Sequence, residues 1–557
     1  MSNQTKIFYL VDILMVKFFK HYGFQRLRRI TRGYRILKDS KSLGRIADVK
    51  RALTTQPLDI KEKRYSKYIF GDGIGQAEIV CRQYLLIRVA GLNLNRALLY
   101  ALGKQGALVV FYLPPEWRKI IQNQGFKVAS FRTALLWNVF VGMMLAYGVL
   151  KIATIILSGI KTARNQSTQK LGRYVYFDSL ASGNLPQTCK DGRSHDIITW
   201  YMQWPNRISD IDTLCHGVIG AERKAVNGIP VAPVPAPLPP LTHFGTITRF
   251  TAWGIGAALI ATWDLLRGRW WHALMLNQAA LAAQVHVQNP ERLAKDYLFH
   301  NSGWIYRPLW TYEAEKRESR ITFYFYSTNC DDFKRTDGYP PLSYGWQAMN
   351  WPHYLVWDEY QADFVRRAVG KTANISVVRQ IWFSTSAMEM PSFSGRGVAV
   401  FDVTPHRSSI YQMHAAEFNF YNPDTCISFL HDIQQVTKDA DYRMLWKRKR
   451  KIGSIAHPRY RFFAERVSEA KNVIIVDPDI SAIRVIEAST LSISMPFTST
   501  ALIARDLGKP SCYYDPTGLV QKDDRAAHGI EIIRGPEELK RWLKDASVEP
   551  HMLEAAV

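Results

Sequence analysis

Residues 472–517 read NVIIVDPDISAIRVIEASTLSISMPFTSTALIARDLGKPSCYYDPT, and the alternation within this stretch decides the fold class. The runs at 472–478, 491–496 and 510–516 are short and apolar, with the length of strands. Between them, 480–489 and 498–508 carry the spacing of helices. Strand, helix, strand, helix, strand in succession is the pattern of a parallel sheet wound with crossover helices. The alternation extends outward from there. GVAVFDV (397–403) reads as a strand, 424–439 as a helix, 442–450 as a strand running into a basic edge and 458–470 as a helix, while 529–534 and 535–546 close the unit.

Ligands of such sheets lie outside the carboxyl ends of the strands, where helix amino termini point. Two loops fall there. In the first, Pro496 and Phe497 end a strand, and Thr498, Ser499 and Thr500 bring hydroxyls and unpaired backbone N–H groups to a helix start. That suits phosphate oxygens, because both the helix dipole and the free donors favour an anion. An ordinary capping role for the same hydroxyls is the alternative. The second loop, KRKRKIGSIAHPRYRF (447–462), offers Lys447, Lys449 and Lys451 and then His457 and Pro458 at the next helix start. His457 can donate to a phosphate and Pro458 presets the first turn. A solvated basic face is the alternative here.

This order of strand, basic residues, His-Pro, Glu487 near a helix end and a Ser/Thr turn resembles the nucleotide-binding half of GT-B glycosyltransferases. The string Pro496-Phe497-Thr498-Ser499 resembles the motif of the bacterial polysaccharide biosynthesis PFTS proteins, and His457-Pro458 is similar to the element that sialyltransferases and Kdo transferases set against the phosphate of a CMP-sugar. The resemblance covers roughly residues 300–545. It implies two Rossmann-like lobes, with hydrophobic helical insertions in the first. It also implies transfer of a sugar from a nucleotide donor, CMP before UDP, to a lipid-linked or membrane-associated glycan acceptor, with no metal and no cofactor. Glu487 stands where such enzymes hold the donor ribose; a solvated helix-end glutamate is the alternative. A CDP-polyol phosphotransferase and a non-catalytic assembly protein docked on the membrane are the other classes compatible with these residues.

A base from the first lobe is needed to deprotonate the acceptor hydroxyl. The candidates are Asp178 at the end of YVYFD and Asp331 and Asp332 after FYFYSTNC, with no selection among them. Asp72, in FGDGIG, precedes the first clear strand and is set aside. GDGIG also lacks the GxGxxG spacing of a dinucleotide fingerprint.

The first half divides less cleanly. Residues 1–65 read as a helical segment on a membrane surface and 66–383 as the acceptor-side lobe. The linker is placed at 384–396, the nucleotide lobe at 397–546 and a tail at 547–557. Within 66–383, the stretch 106–131 reads as strand, helix, strand opening the lobe, and 173–180, 196–202 and 320–329 as later strands. Residues 353–368 and 374–383 read as the strand, helix and strand that end it. Two apolar stretches interrupt the lobe: 134–160, with Lys151 its single charge, and 251–285, broken by Asp264, Arg267 and Arg269. Between them, 228–241 reads as an extended proline-rich connector.

The first stretch is long enough to cross a bilayer, but a single crossing would split one lobe between two compartments. Basic residues flank it on both sides, so both ends are expected on the cytoplasmic face of the inner membrane. The stretch is read as dipping into or lying along the leaflet, with Trp253, Trp263, Trp270 and Trp271 as interfacial anchors. A buried helical hairpin and two true spans are the alternatives.

Length and charge agree with this organisation. At 557 residues the chain exceeds a single core. A net charge of +24 demands an acidic partner, assigned here to the nucleotide donor and an anionic membrane surface rather than to nucleic acid. Six dispersed cysteines without a CxxC pair point to a reduced chain without structural zinc.

Overall fold

The computed structural model describes residues 3–21, 23, 40–55, 65–103, 106–165, 171–186, 196–222, 224–303, 306–328, 330–381, 388–406, 420–448, 453 and 456–546. Lys449, Lys451, the tail 547–557, part of the 384–396 linker and much of 1–65 lie outside the described residues.

Two parallel sheets organise the chain, which bears out the two Rossmann-like lobes. The second sheet contains β9 (Gly397–Phe401), β10 (Arg443–Lys447), β11 (Val473–Val476), β12 (Leu491–Ser494), β13 (Ser511–Asp515) and β14 (Glu531–Arg534). Its order is β11-β10-β9-β12-β13-β14, parallel throughout. The winding therefore reverses between β9 and β12, and a crevice opens at their carboxyl ends. Helices cover both faces of such a sheet, so its strands are apolar on both sides; β9 is buried at every position.

The first sheet is built the same way. It contains β1 (Tyr174–Phe177), β2 (Thr213–His216), β3 (Lys224–Val226), β4 (Ile229–Pro233), β5 (Asp296–His300), β6 (Arg320–Tyr324), β7 (His353–Val356) and β8 (Ile375–Val377), in the order β3-β4-β2-β1-β5-β6-β7-β8. Only the β3–β4 hairpin is antiparallel. Here the reversal falls between β1 and β5.

Several local expectations fail for identifiable reasons. The 106–131 stretch contributes a helix, Pro115–Asn123, but only a single bridge between Val109 and Val128, outside both sheets. Residues 196–202 form a helix, Ile197–Gln203, because the Asp196 carboxylate accepts from the N–H groups of Ile198 and Thr199 and starts a helical turn. The proline-rich connector is packed. Its first part is β4, Leu241 is fully buried, and the amides of Gln284 and Gln288 donate to the Pro239 carbonyl.

The apolar insertions fold into three helices, Ser130–Asn165, Phe244–Leu266 and Trp271–Val287, packed on one another. Close approach is possible because Gly148 faces Leu276 and Gly254 faces Ile152, where a Cβ would come within 2.7 Å and 2.6 Å of side-chain carbons. Asp264 is not a surface interruption. It is buried at the hairpin corner, 2.6 Å from His272 Nδ1, and His272 Nε2 lies 3.0 Å from the Ser66 hydroxyl, so a polar triad ties the last two of these helices to the short Ser66–Phe70 helix. Trp270 and Trp271 are core residues, the former edge-on to Trp137, and cannot anchor an interface. Trp263 is exposed. Among the described residues one helix, Ser130–Arg164, is long and apolar enough to cross a membrane, yet Leu136, Trp137, Phe140 and Val141 in its first half belong to the protein core.

Candidate functional site

The β12 strand ends at Ser494, and the Met495 N–H bonds to Phe401 O, which keeps the β9 and β12 ends side by side. The turn that follows is held from behind. Tyr421 OH donates to Pro496 O at 2.8 Å and Tyr513 OH to Thr498 O at 2.9 Å. Phe497 has φ +66°, a left-handed value rare for an aromatic residue, and it persists because the ring is clamped against Phe333 and Tyr513. The strained residue aims Thr498, Ser499 and Thr500 into the start of the Thr500–Asp506 helix.

The three hydroxyls do not cap that helix. Thr498 Oγ1 donates to Met495 O at 2.9 Å, Thr500 Oγ1 meets Ser494 Oγ at 2.9 Å, and Ser499 has no capping bond. Instead Ser499 Oγ lies 3.1 Å from Thr328 Oγ1 and accepts from the Thr328 N–H at 3.4 Å. Thr328 belongs to the loop after β6, in the other lobe. Two residues earlier in that loop, the Tyr326 N–H bonds to Asn301 Oδ1, just beyond β5. The carboxyl ends of the two sheets thus face each other.

His457 is brought to the same crevice. Its N–H donates to Pro405 O in the loop after β9, and its Nδ1 accepts from the Arg459 N–H, capping the Pro458–Ser468 helix. Lys447 is not free for an anion: its buried ammonium donates to Pro478 O at the end of β11, and burial draws its pKa down. Glu487 is solvent-facing at the end of the Ala482–Glu487 helix, ahead of β12. Three residues on, the Thr490 N–H bonds to Gly397 O at the start of β9, so Glu487 stands by the amino ends of the strands, away from the crevice.

The candidate bases separate sharply. Asp331 is engaged by Arg367 at 2.8 and 3.0 Å and by Arg525 at 3.2 Å, a clamp between lobes that leaves it no role as a base. Asp332 is exposed on the same loop, beside Asp331. Asp178 is at the crevice. Its N–H bonds to Leu298 O of β5 and its Oδ2 accepts from Ser179 Oγ at 2.6 Å.

Two groups escaped the sequence reading. His300 ends β5 and is 6% exposed; its Nε2 donates to Ser179 O at 3.3 Å, which leaves Nδ1 as a bare acceptor without a partner. Burial lowers its pKa, so the ring is neutral near pH 7. Asp402 ends β9, accepts from Tyr460 OH, and is pushed upward by burial. A signal for Asp402 existed: the first strand of each lobe ends in Phe-Asp, Phe177-Asp178 and Phe401-Asp402.

Residues 253–543 match the family model described as "Polysaccharide biosynthesis PFTS motif protein", and its four-residue signature is the turn just described, Pro496 to Ser499. The chain belongs to this family. No curated protein matches the chain. Among solved structures it is similar to the UDP-GlcNAc 2-epimerase of Methanocaldococcus jannaschii in complex with UDP-GlcNAc and UDP, at 10% identity and TM-score 0.28 over 49% of this chain and 75% of that one. It is also similar to the glycotransferase of kitacinnamycin, at 11% identity and TM-score 0.33 over 69% and 92%. Similarity of that degree bears on neither substrate nor reaction.

Proposed function

We propose that this protein is a metal-independent glycosyltransferase of surface polysaccharide biosynthesis, moving a sugar from a nucleotide donor, CMP before UDP, to a membrane-linked glycan acceptor. The observation that carries this reading is the Thr328–Ser499 contact, which sets the carboxyl edge bearing Asp178 against the one bearing the PFTS turn and His457. The donor phosphate lies on the Ser499 hydroxyl, the Ser499 and Thr500 N–H groups and the helix start, with His457 beside it. Asp178 takes the proton of the acceptor hydroxyl as its oxygen bonds to the anomeric carbon. The bond from that carbon to the phosphate oxygen breaks, and the nucleotide leaves with the electron pair, its charge met by the turn. His300 orients the Ser179 backbone beside this base.

The same proposal places the protein on the cytoplasmic face of the inner membrane. Leu150 and Leu157 on one helix and Ile255, Leu259, Trp263 and Leu266 on its neighbour are exposed apolar side chains, and the chain is strongly basic. A thermal-shift screen with CMP, UDP, GDP and their sugar conjugates tests the donor assignment. A nucleotide at 100 times its Kd stabilises by about 2.7 kcal/mol. CMP is expected to give the largest shift, UDP alone would change the donor, and no response to any nucleotide would overturn the reading.

A further inference from the structure

The loop between β6 and β7 belongs to the first lobe by sequence, but part of it is fastened to the second. The Lys334 N–H donates to Asp524 Oδ2 at 2.7 Å, and the Lys334 ammonium pairs with Asp523. Tyr339 OH donates to Asp524 Oδ1 at 3.1 Å and accepts from the Arg525 N–H at 2.7 Å. The Arg525 guanidinium also lies over the Tyr339 ring, 3.6 Å from its centre. Residues 330–339 therefore form a strap from one lobe laid across the other.

The strap inserts Phe333 into an aromatic cluster of the second lobe. Its ring centre is 4.6 Å from that of Phe497, 5.0 Å from Phe420 and 5.7 Å from Tyr421. Two of these neighbours shape the PFTS turn: Phe497 is the residue at φ +66°, and Tyr421 OH bonds Pro496 O. A residue with a bulky side chain stays in left-handed backbone only where its surroundings over-determine it, and such strain gathers at functional turns. Tyr513 of β13 supplies one contact to the Phe497 ring from within the second lobe. Phe333 supplies another from the first.

We propose that Phe333 is a positioning residue for the PFTS turn. With the strap docked, its ring keeps Phe497 left-handed and the Ser499 and Thr500 N–H groups directed at the phosphate. With the strap lifted, the turn relaxes and its hold on the nucleotide weakens. Donor affinity is thus governed in part by the lobe that carries Asp178. Coupling of this kind is reciprocal, so a bound nucleotide secures the strap by the same factor. The nucleotide's place at the turn rests on the transferase reading, whereas the strap's hold on the turn does not.

The test uses the full chain and reads hydrogen exchange of residues 497–503 together with dissociation constants for CMP and UDP. Phe333→Ala should speed that exchange and weaken the nucleotide the parent binds, each by about five-fold or more. Phe333→Leu, which keeps an apolar side chain in the cluster, should do less. Glycine takes a positive φ without a clamp, so in a Phe497→Gly chain the further change Phe333→Ala should move both readouts by less than about two-fold. Tyr339→Phe removes the hydroxyl between Asp524 and Arg525 and leaves the cluster whole. It should shift both readouts in the direction of Phe333→Ala, and it keeps the test in force if the alanine variant does not fold. Nucleotide affinity unchanged by Phe333→Ala and by Tyr339→Phe overturns the proposal and spares the transferase reading. Faster exchange in Phe333→Ala that vanishes in the Phe497→Gly chain, with no response of the parent to CMP or UDP, supports the hold on the turn and removes the nucleotide from it. Equal effects of Phe333→Ala in the parent and in the Phe497→Gly chain overturn the proposal.

Discussion

Ser499 Oγ lies 3.1 Å from Thr328 Oγ1, a bond that crosses from the second lobe to the first. Because Ser499 does not cap its helix, removing the hydroxyl has two separable consequences. Ser499→Ala and Thr328→Val both lose the interlobe bond, and each is expected to cost about 0.5–1.5 kcal/mol of stability. Only Ser499→Ala also removes a donor to the nucleotide phosphate, worth about 1.5–3 kcal/mol for a charged acceptor, or roughly 10- to 150-fold in affinity. Melting temperatures and CMP dissociation constants for the two variants decide the matter. Equal nucleotide affinities would sink the phosphate role of Ser499.

Asp178 and Asp331 are expected to fail in different ways. Asp178→Asn keeps the shape and the Ser179 contact but cannot take a proton, so sugar transfer should fall by about 10²-fold or more while CMP affinity holds. Asp331→Asn leaves Arg367 and Arg525, both about one-third exposed, without their carboxylate. That should cost about 1–3 kcal/mol of stability, since the two guanidiniums recover part of their hydration. Transfer assays at a temperature where both variants are folded separate chemistry from docking. Full activity in Asp178→Asn would remove it as the base.

The second lobe was legible because its strands follow one another with short crossovers, and buried parallel strands write themselves as apolar runs. The PFTS turn was legible as a strand end against a helix start. What the sequence concealed were contacts between distant segments. Nothing near Asp331 announces Arg525, and nothing near Ser499 announces Thr328. Lys447 looked available because it opens a basic run, yet its stem lies in the sheet and its ammonium reaches Pro478 O. Residues 196–202 show the limit of periodicity: the short, mostly apolar run 197–202 fits a strand or a buried helix, and the Asp196 cap decided it.

The lobe interface should weaken in acid. Asp358 lies 2.8 Å from His528 Nδ1, across the same boundary. Burial pushes the Asp358 carboxyl up, but the hydrogen bond and charge of His528, the Gln361 N–H and Arg505 outweigh it and hold it below the ordinary carboxylate value. A carboxyl with a folded pKa below its unfolded value of about 3.9 stabilises fully above that value, and the contribution disappears as pH falls through the folded pKa. Asp358→Asn keeps the cap of the Glu359–Val369 helix and loses the charge. The variant should therefore melt below the parent at pH 7, and the difference should begin to narrow below about pH 4 and close as the pH falls through the folded pKa. A gap in melting temperature that persists unchanged at pH 3 would refute the ionic account.

The proposed membrane docking assigns the contact to an exposed apolar stripe. Ile255, Leu259 and Trp263 recur every four residues on one helix face, and Leu259 and Leu157 of the adjoining helix are 66% and 65% exposed. Burying a leucine side chain in an apolar phase gains about 1.5–3 kcal/mol, so two such residues dominate the docking energy while contributing little to the fold. Ile255→Glu with Leu259→Glu should release the protein from vesicles of three parts phosphatidylcholine to one part phosphatidylglycerol, with at least a ten-fold loss of binding in co-sedimentation and an unchanged melting temperature. Because the chain is basic, raising the salt should weaken the parent but not abolish its binding. If the parent stays in the supernatant with these vesicles at low salt, the stripe does not face a membrane.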